Sequence, residues 1–152
     1  MTAMQIFERC KAADGDKKAL RDRITRYRES ATRMSAALDG IGARSTAEPD
    51  KLSAIMAEID TLERAIRQRD REYAAEVAAA CKLLDMLPET ECEIVNRFYI
   101  VGTPLTVIAR EMSYSYGYVR TVKSAACNHL DDLPEAMVAA LLPSWYLDAF
   151  AT

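Results

Sequence analysis

The side chains best suited to chemistry in this sequence stand in the run SYGYVRTVKSAACN, from Ser115 to Asn128. Read as a helix starting at Tyr116, it turns Tyr116, Gly117, Tyr118, Arg120, Thr121, Lys123, Ser124 and Asn128 outward. Val119, Val122, Ala126 and Leu130 then form the buried side. The outward groups are hydrogen-bond donors and aromatic faces rather than a nucleophile with its base. An arginine can fork onto guanine O6 and N7, a contact worth about 1–3 kcal/mol of discrimination. Thr121 and Lys123 can reach bases or phosphate, and the tyrosines suit thymine methyls or phosphate oxygens. The chemistry on offer is the reading of double-stranded DNA.

Other chemistries lack their parts. Four cysteines (Cys10, Cys81, Cys92, Cys127) are scattered without a CxxC pair, and His129 is the single histidine. Neither a zinc site nor a disulfide framework is expected. With no nucleophile–base pair, metal-ligand cluster or phosphate loop, we expect no catalytic residue, no metal and no cofactor, and the chain does not read as an enzyme. The net charge of −3 excludes binding to nucleic acid by bulk attraction. Residues 89–130 carry four Lys/Arg against four Asp/Glu, and the last 22 residues carry four acids and no base. Any DNA contact must come from a few placed groups.

Those groups need a frame, and the chain from Gly102 to Leu130 supplies one. Thr103 is expected as an N-cap with Pro104 at the first helical position, where its missing N–H costs nothing. Leu105, Ile108, Ala109 and Met112 fall on one apolar face. Met112-Ser113-Tyr114-Ser115 breaks the pattern, and Ser115 can cap the next helix. Two short amphipathic helices around a tight turn predict a helix-turn-helix. Thr103 and Ser115, at the two helix starts, are candidate phosphate contacts. Upstream, residues 88–101 predict a preceding helix, with Glu89, Glu91 and Glu93 near its positive end. Its core is Ile94, Val95, Phe98 and either Ile100 or Val101, and Gly102 stops it. Arg97 suits a structural ion pair or a phosphate clamp.

The segment 87–130 resembles the fourth region of bacterial sigma factors. The matching positions are Leu87, Pro88, Glu91, Val95, Arg97, Tyr99, Gly102, Leu105, Ile108, Ala109, Glu111, Ser115, Val119, Arg120, Ala126 and Leu130. Tyr116-Gly117-Tyr118 replaces charged residues usual in that family, Ser113 stands where a turn glycine is common, and Thr106 and Val107 stand where acids are frequent. The target sequence therefore does not follow from the resemblance, and the tyrosines also suit docking on protein.

Two heptad seams precede this module. Leu20, Ile24, Tyr27, Ala31, Met34, Leu38 and Ile41 step by four and three. The seam reaches upstream through Ile6, Cys10 and Ala13, although Asp14-Gly15-Asp16 should weaken the helix there. Its opposite face holds Lys17, Lys18, Arg21, Arg23, Arg26, Arg28 and Arg33, with Asp22 and Glu29 interleaved; such a face is ordinarily solvated. Residues 40–49 are a break with two glycines, and a helix is expected from about residue 50 to 86. Its seam is Leu52, Ile55, Ile59, Leu62 and Ile66, faltering at Arg69 and resuming at Tyr73, Val77, Ala80, Leu84 and Leu87. The two helices predict an antiparallel hairpin whose leftover apolar surface favours a homo-oligomer, in the simplest case a dimer.

A basic helix, a Gly/Ser/Pro loop, a second long helix and a sigma-like helix-turn-helix together resemble phage regulators of the RinA/ArpU kind. That resemblance implies a phage or prophage transcription regulator binding double-stranded DNA in the bacterial cytoplasm, with RNA polymerase as a further partner. Alternatives are a module that docks on polymerase without reading DNA, or a small terminase-like subunit for DNA packaging.

The expected architecture is all-α: a hairpin and oligomerisation region over 1–86, a DNA-binding domain over 87–131, and an apolar helical tail over 132–152. In that tail Pro134 and Glu135 can start a helix, Pro143 bends or ends it, and Trp145, Tyr146, Leu147 and Phe150 need cover. No apolar run approaches a membrane span, and the first residues lack a secretory core.

Overall fold

The computed structural model describes residues 1–41 and 47–151, and side chains outside 38–49. Among these residues the chain is helical throughout, without a strand: α1 (Ala3–Ile41), α2 (Ala47–Leu84), α3 (Glu89–Val95), α4 (Leu105–Glu111), α5 (Tyr116–Asp131), α6 (Glu135–Ala139) and α7 (Ser144–Phe150). A π-helical stretch, Asn96–Val101, continues α3. The break expected over 40–49 falls partly outside the described residues. No helix among those described is long and apolar enough to cross a membrane.

Helices α1 and α2 run 39 and 38 residues, each about 57 Å at 1.5 Å per residue. A reciprocal capping box starts α1. The Thr2 N–H donates to Gln5 Oε1 at 2.8 Å and the Gln5 N–H to Thr2 Oγ1 at 3.2 Å. The helix then runs unbroken through Asp14-Gly15-Asp16, where the sequence predicts weakness.

The chain divides into two compact units, Met1–Ala13 with Arg71–Thr152, and Asp14–Asp70. These differ from the boundaries expected at 86 and 131, because both long helices contribute to both units. In the Asp14–Asp70 unit the seams meet as predicted: Ile24, Ile59 and Leu62 are buried, with Leu20, Tyr27, Ile55 and Ile66 packed around them. The charged pairs beside this seam fit an antiparallel pairing, since Asp16 meets Arg69 (3.2 Å) whereas Arg23 and Arg28, later in α1, meet the earlier Glu58 (3.7 Å) and Glu63 (2.6 Å) of α2. Arg69, where the seam falters, is buried and spans to Asp16, while Lys17 pairs with Asp70 at 3.0 Å. This polar layer interrupts the apolar seam. Most of the seam is spent within the chain, and Met56 is the exposed large hydrophobic of this unit among the described residues.

In the other unit, Ile6, Phe7 and Cys10 of α1 and Ala79, Ala80, Leu83 and Leu84 of α2 are buried. They share a core with Val95, Tyr99, Ala126, Leu130, Val138, Leu142 and Tyr146. The tail is therefore not a separate segment. Pro143 starts α7, and Val138, Leu142 and Tyr146 sink into the core formed with the C-terminal half of α5. Arg71 and Arg9 cover the tail's rings, lying 3.9 Å from Trp145 and 4.5 Å from Phe150.

Candidate nucleic-acid interface

The helix-turn-helix is built around a second small core. Ile94, Ile108, Ala109 and Val119 are buried together, with Phe98, Leu105, Met112 and Val122 packed on them. These are the residues that the apolar spacing singled out, and they bring α3, α4 and α5 onto one another. The wider π-helical winding settles the end of the first helix: Tyr99 turns into the core while Val101 stays 66% exposed. Gly102, at φ 85°, closes that helix, and the Thr103 N–H donates to the Arg97 carbonyl at 2.8 Å.

Helix α4 starts one residue later than expected. Pro104 takes the N-cap position in an extended conformation with no side-chain cap, so Thr103 is not the cap. With its N–H committed to Arg97, Thr103 offers a phosphate only its hydroxyl. At the other end, α4 closes in a Schellman motif. The Tyr114 N–H donates to the Ala109 carbonyl at 2.9 Å and the Ser113 N–H to the Arg110 carbonyl at 3.3 Å. The motif needs a left-handed residue, and Ser113 supplies it at φ 59°, the strained conformation expected where a glycine is missing.

Ser115 caps α5 as expected: its Oγ accepts from the Tyr118 N–H at 3.1 Å. The first turns of α5 lie open to solvent. Tyr116 and Tyr118 are each 46% exposed, and Gly117, Arg120, Thr121, Ser124 and Asn128 are exposed as well. Tyr114 stacks edge-on against Tyr118 with ring centroids 4.9 Å apart, and the Arg120 guanidinium lies 5.8 Å from the Tyr116 ring. Thr121 spends its hydroxyl proton on the Gly117 carbonyl at 2.9 Å.

Two expected contacts sit elsewhere. Arg97 lies between Glu93 (3.0 Å) and Glu111 (2.9 Å), tying the π-helical stretch to the end of α4. Of its two readings, the structure shows the ion pair. Lys123 is half-buried instead of outward, with its ammonium 4.7 Å from the Phe98 ring. Arg110, exposed in the last turn of α4 beside the turn, was not among the candidates, although its place before the turn was visible in the sequence. Residues 103–128 thus hold Arg110, Arg120 and Lys123 against Glu111 alone, and Glu111 is engaged by Arg97. This stretch is locally basic within an acidic chain.

On the hairpin, Arg23 and Arg28 are turned to acids of α2, which leaves a mixed-charge surface along α1. Among the described residues no group of three His, Cys, Asp or Glu is placed to hold a metal ion. No protein family, curated protein or solved structure matches the chain.

Proposed function

We propose that this protein is a sequence-specific DNA-binding regulator of the phage type, reading the major groove with the first three turns of α5. The observation that carries the reading is the open face at the start of α5, capped by Ser115 and bearing Tyr116, Arg120 and Thr121 outward. In a helix-turn-helix this is the part that meets base edges, while the helix before it crosses the backbone. Arg120 reads guanine, Gly117 and Thr121 line the approach, and Arg110 sits where a phosphate contact belongs. Selection from a random duplex pool with the full chain tests this. Enrichment of a defined motif is expected, with Arg120→Ala losing about 10- to 100-fold of discrimination at one position. Failure to retain any duplex at about 50 mM salt would defeat the reading.

The exposed cluster of Tyr114, Tyr116 and Tyr118 favours a second reading, docking on RNA polymerase, since tyrosines are enriched at protein interfaces. Co-purification with core polymerase that is lost in a Tyr116→Ser/Tyr118→Ser double variant, without any duplex enrichment, selects this alternative.

A further inference from the structure

Lys11 and Lys123 converge on one aromatic ring. Lys11 Nζ stands 4.0 Å from the Phe98 centroid and Lys123 Nζ 4.7 Å from it, with the Tyr99 ring 5.5 Å from Lys123. One lysine comes from the N-terminal turns of α1 and the other from the middle of α5, within the same compact unit. Neither has a carboxylate within ion-pair distance among the described residues, whereas Arg9 and Arg97 in the same unit each have two.

Two ammonium groups held this way repel. They lie no farther apart than the sum of their distances to the ring centre, about one Debye length at physiological salt. The ring attracts each by only about 0.5–1 kcal/mol at an exposed site. A phosphate oxygen beside either ammonium would supply the counter-charge that no ion pair supplies among the described residues. Lys123 follows Tyr116 and Arg120 by helical steps of four and three residues, at the half-buried edge of the exposed α5 face. Stacking on Phe98 restricts both side chains before any ligand arrives, which lowers the ordering cost of binding.

We propose that Lys11 and Lys123, flanking Phe98, each meet the DNA phosphate backbone beside the recognition helix, so that the N-terminal helix is itself part of the DNA-contacting surface. The inference rests on the DNA-binding reading. It makes a sequence-independent contribution that Arg120 does not.

The test is fluorescence anisotropy of the full chain on a mixed-sequence duplex of about 30 base pairs, titrated from about 50 to 200 mM salt. Lys11→Gln should weaken binding and reduce the slope of log affinity against log salt by about 1, Lys123→Gln should do the same, and Lys11→Arg should retain both. Lys11 is exposed, and unchanged circular dichroism is expected for its variants. If Lys11→Gln keeps the wild-type slope while Arg120→Ala still weakens binding, the backbone contact by Lys11 is wrong and DNA binding stands. If the wild-type chain binds no duplex at the lowest salt, both are wrong.

Discussion

The Tyr146 hydroxyl donates to Glu76 Oε1 at 2.7 Å, joining α7 to α2 across 70 positions of sequence. Glu76 is fully buried, and its charge is met by the Arg9 guanidinium, which also donates to Tyr146 Oη at 3.0 Å and to Glu72 at 2.9 Å. Burial works against the Arg9 charge, but the hydrogen bond and charge of Glu76 outweigh it and hold its pKa above the ordinary value. The tail, α1 and α2 are pinned at one polar point inside an apolar core. Removing the cation should cost more than removing the hydroxyl, because it strands a buried charge. Arg9→Met is expected to destabilise by about 3–5 kcal/mol. Tyr146→Phe should cost about 1–3 kcal/mol. Urea unfolding of both variants measures this order, and equal losses would mean that the Arg9 ion pair adds nothing beyond the hydroxyl hydrogen bond.

High pH should loosen the same unit. Burial raises the Tyr146 hydroxyl pKa above its ordinary 10, reinforced by the Glu76 hydrogen bond and charge, with Arg9 pulling the other way. Burial likewise raises Tyr99, with help from its contact to Cys127 at 3.7 Å. The folded chain thus holds both protons more tightly than the unfolded chain does. Stability from this source is complete below pH 10 and falls as pH climbs through 10 toward the raised values. The urea midpoint should be lower at about pH 11 than at about pH 8, and Tyr146→Phe should flatten the decline.

Two backbone positions carry residues that suit them poorly. Gly15 lies mid-helix in α1, exposed, and a Cβ there would meet nothing within 4 Å. Gly15→Ala should stabilise the chain by about 0.5–1 kcal/mol. Ser113 is the reverse case, a side chain at φ 59°, and Ser113→Gly should gain about 1 kcal/mol by relieving the left-handed strain. Thermal unfolding of each variant against the wild type checks the two signs, and a lower midpoint for Ser113→Gly would mean that its hydroxyl contributes more than the strain costs.

Periodicity made much of this fold legible. The spacing of Ile24, Ile59 and Leu62 announced the hairpin, and that of Ile108, Ala109, Val119 and Leu130 announced the helix-turn-helix. The misplaced features are those that local pattern does not encode. Arg97 had two chemically sensible partners, and only the fold brings Glu111, 14 residues away, within 2.9 Å. Lys123 looked outward on a straight helical wheel, but the π-helical winding delivers Phe98 and Tyr99 beneath it. Glu76 stood off the expected seam, which ran through Val77 and Leu84. The line Arg69, Tyr73, Glu76, Ala80 and Leu83 keeps the same heptad steps, and the structure buries Glu76 and Leu83 fully while Val77 is half-buried. The Glu76 partner Arg9 lies 67 residues off, beyond any periodic argument.

Gly117 separates what the fold requires from what a ligand requires. It is the second residue of α5, exposed, and a Cβ added there would meet nothing within 4 Å. Unlike Gly102, it needs no left-handed backbone. The fold alone would therefore prefer alanine by up to about 1 kcal/mol. The proposed DNA contact gives the glycine a reason, because the start of a recognition helix comes closest to base edges and a missing side chain lets it come closer. Gly117→Ala should raise the urea midpoint while weakening binding to the selected duplex. Since the variant is the more stable protein, that loss of affinity could not be assigned to unfolding. Binding as tight as the wild type would show that the duplex does not approach α5 at this turn, and would shift the reading toward the tyrosine surface as a site for protein.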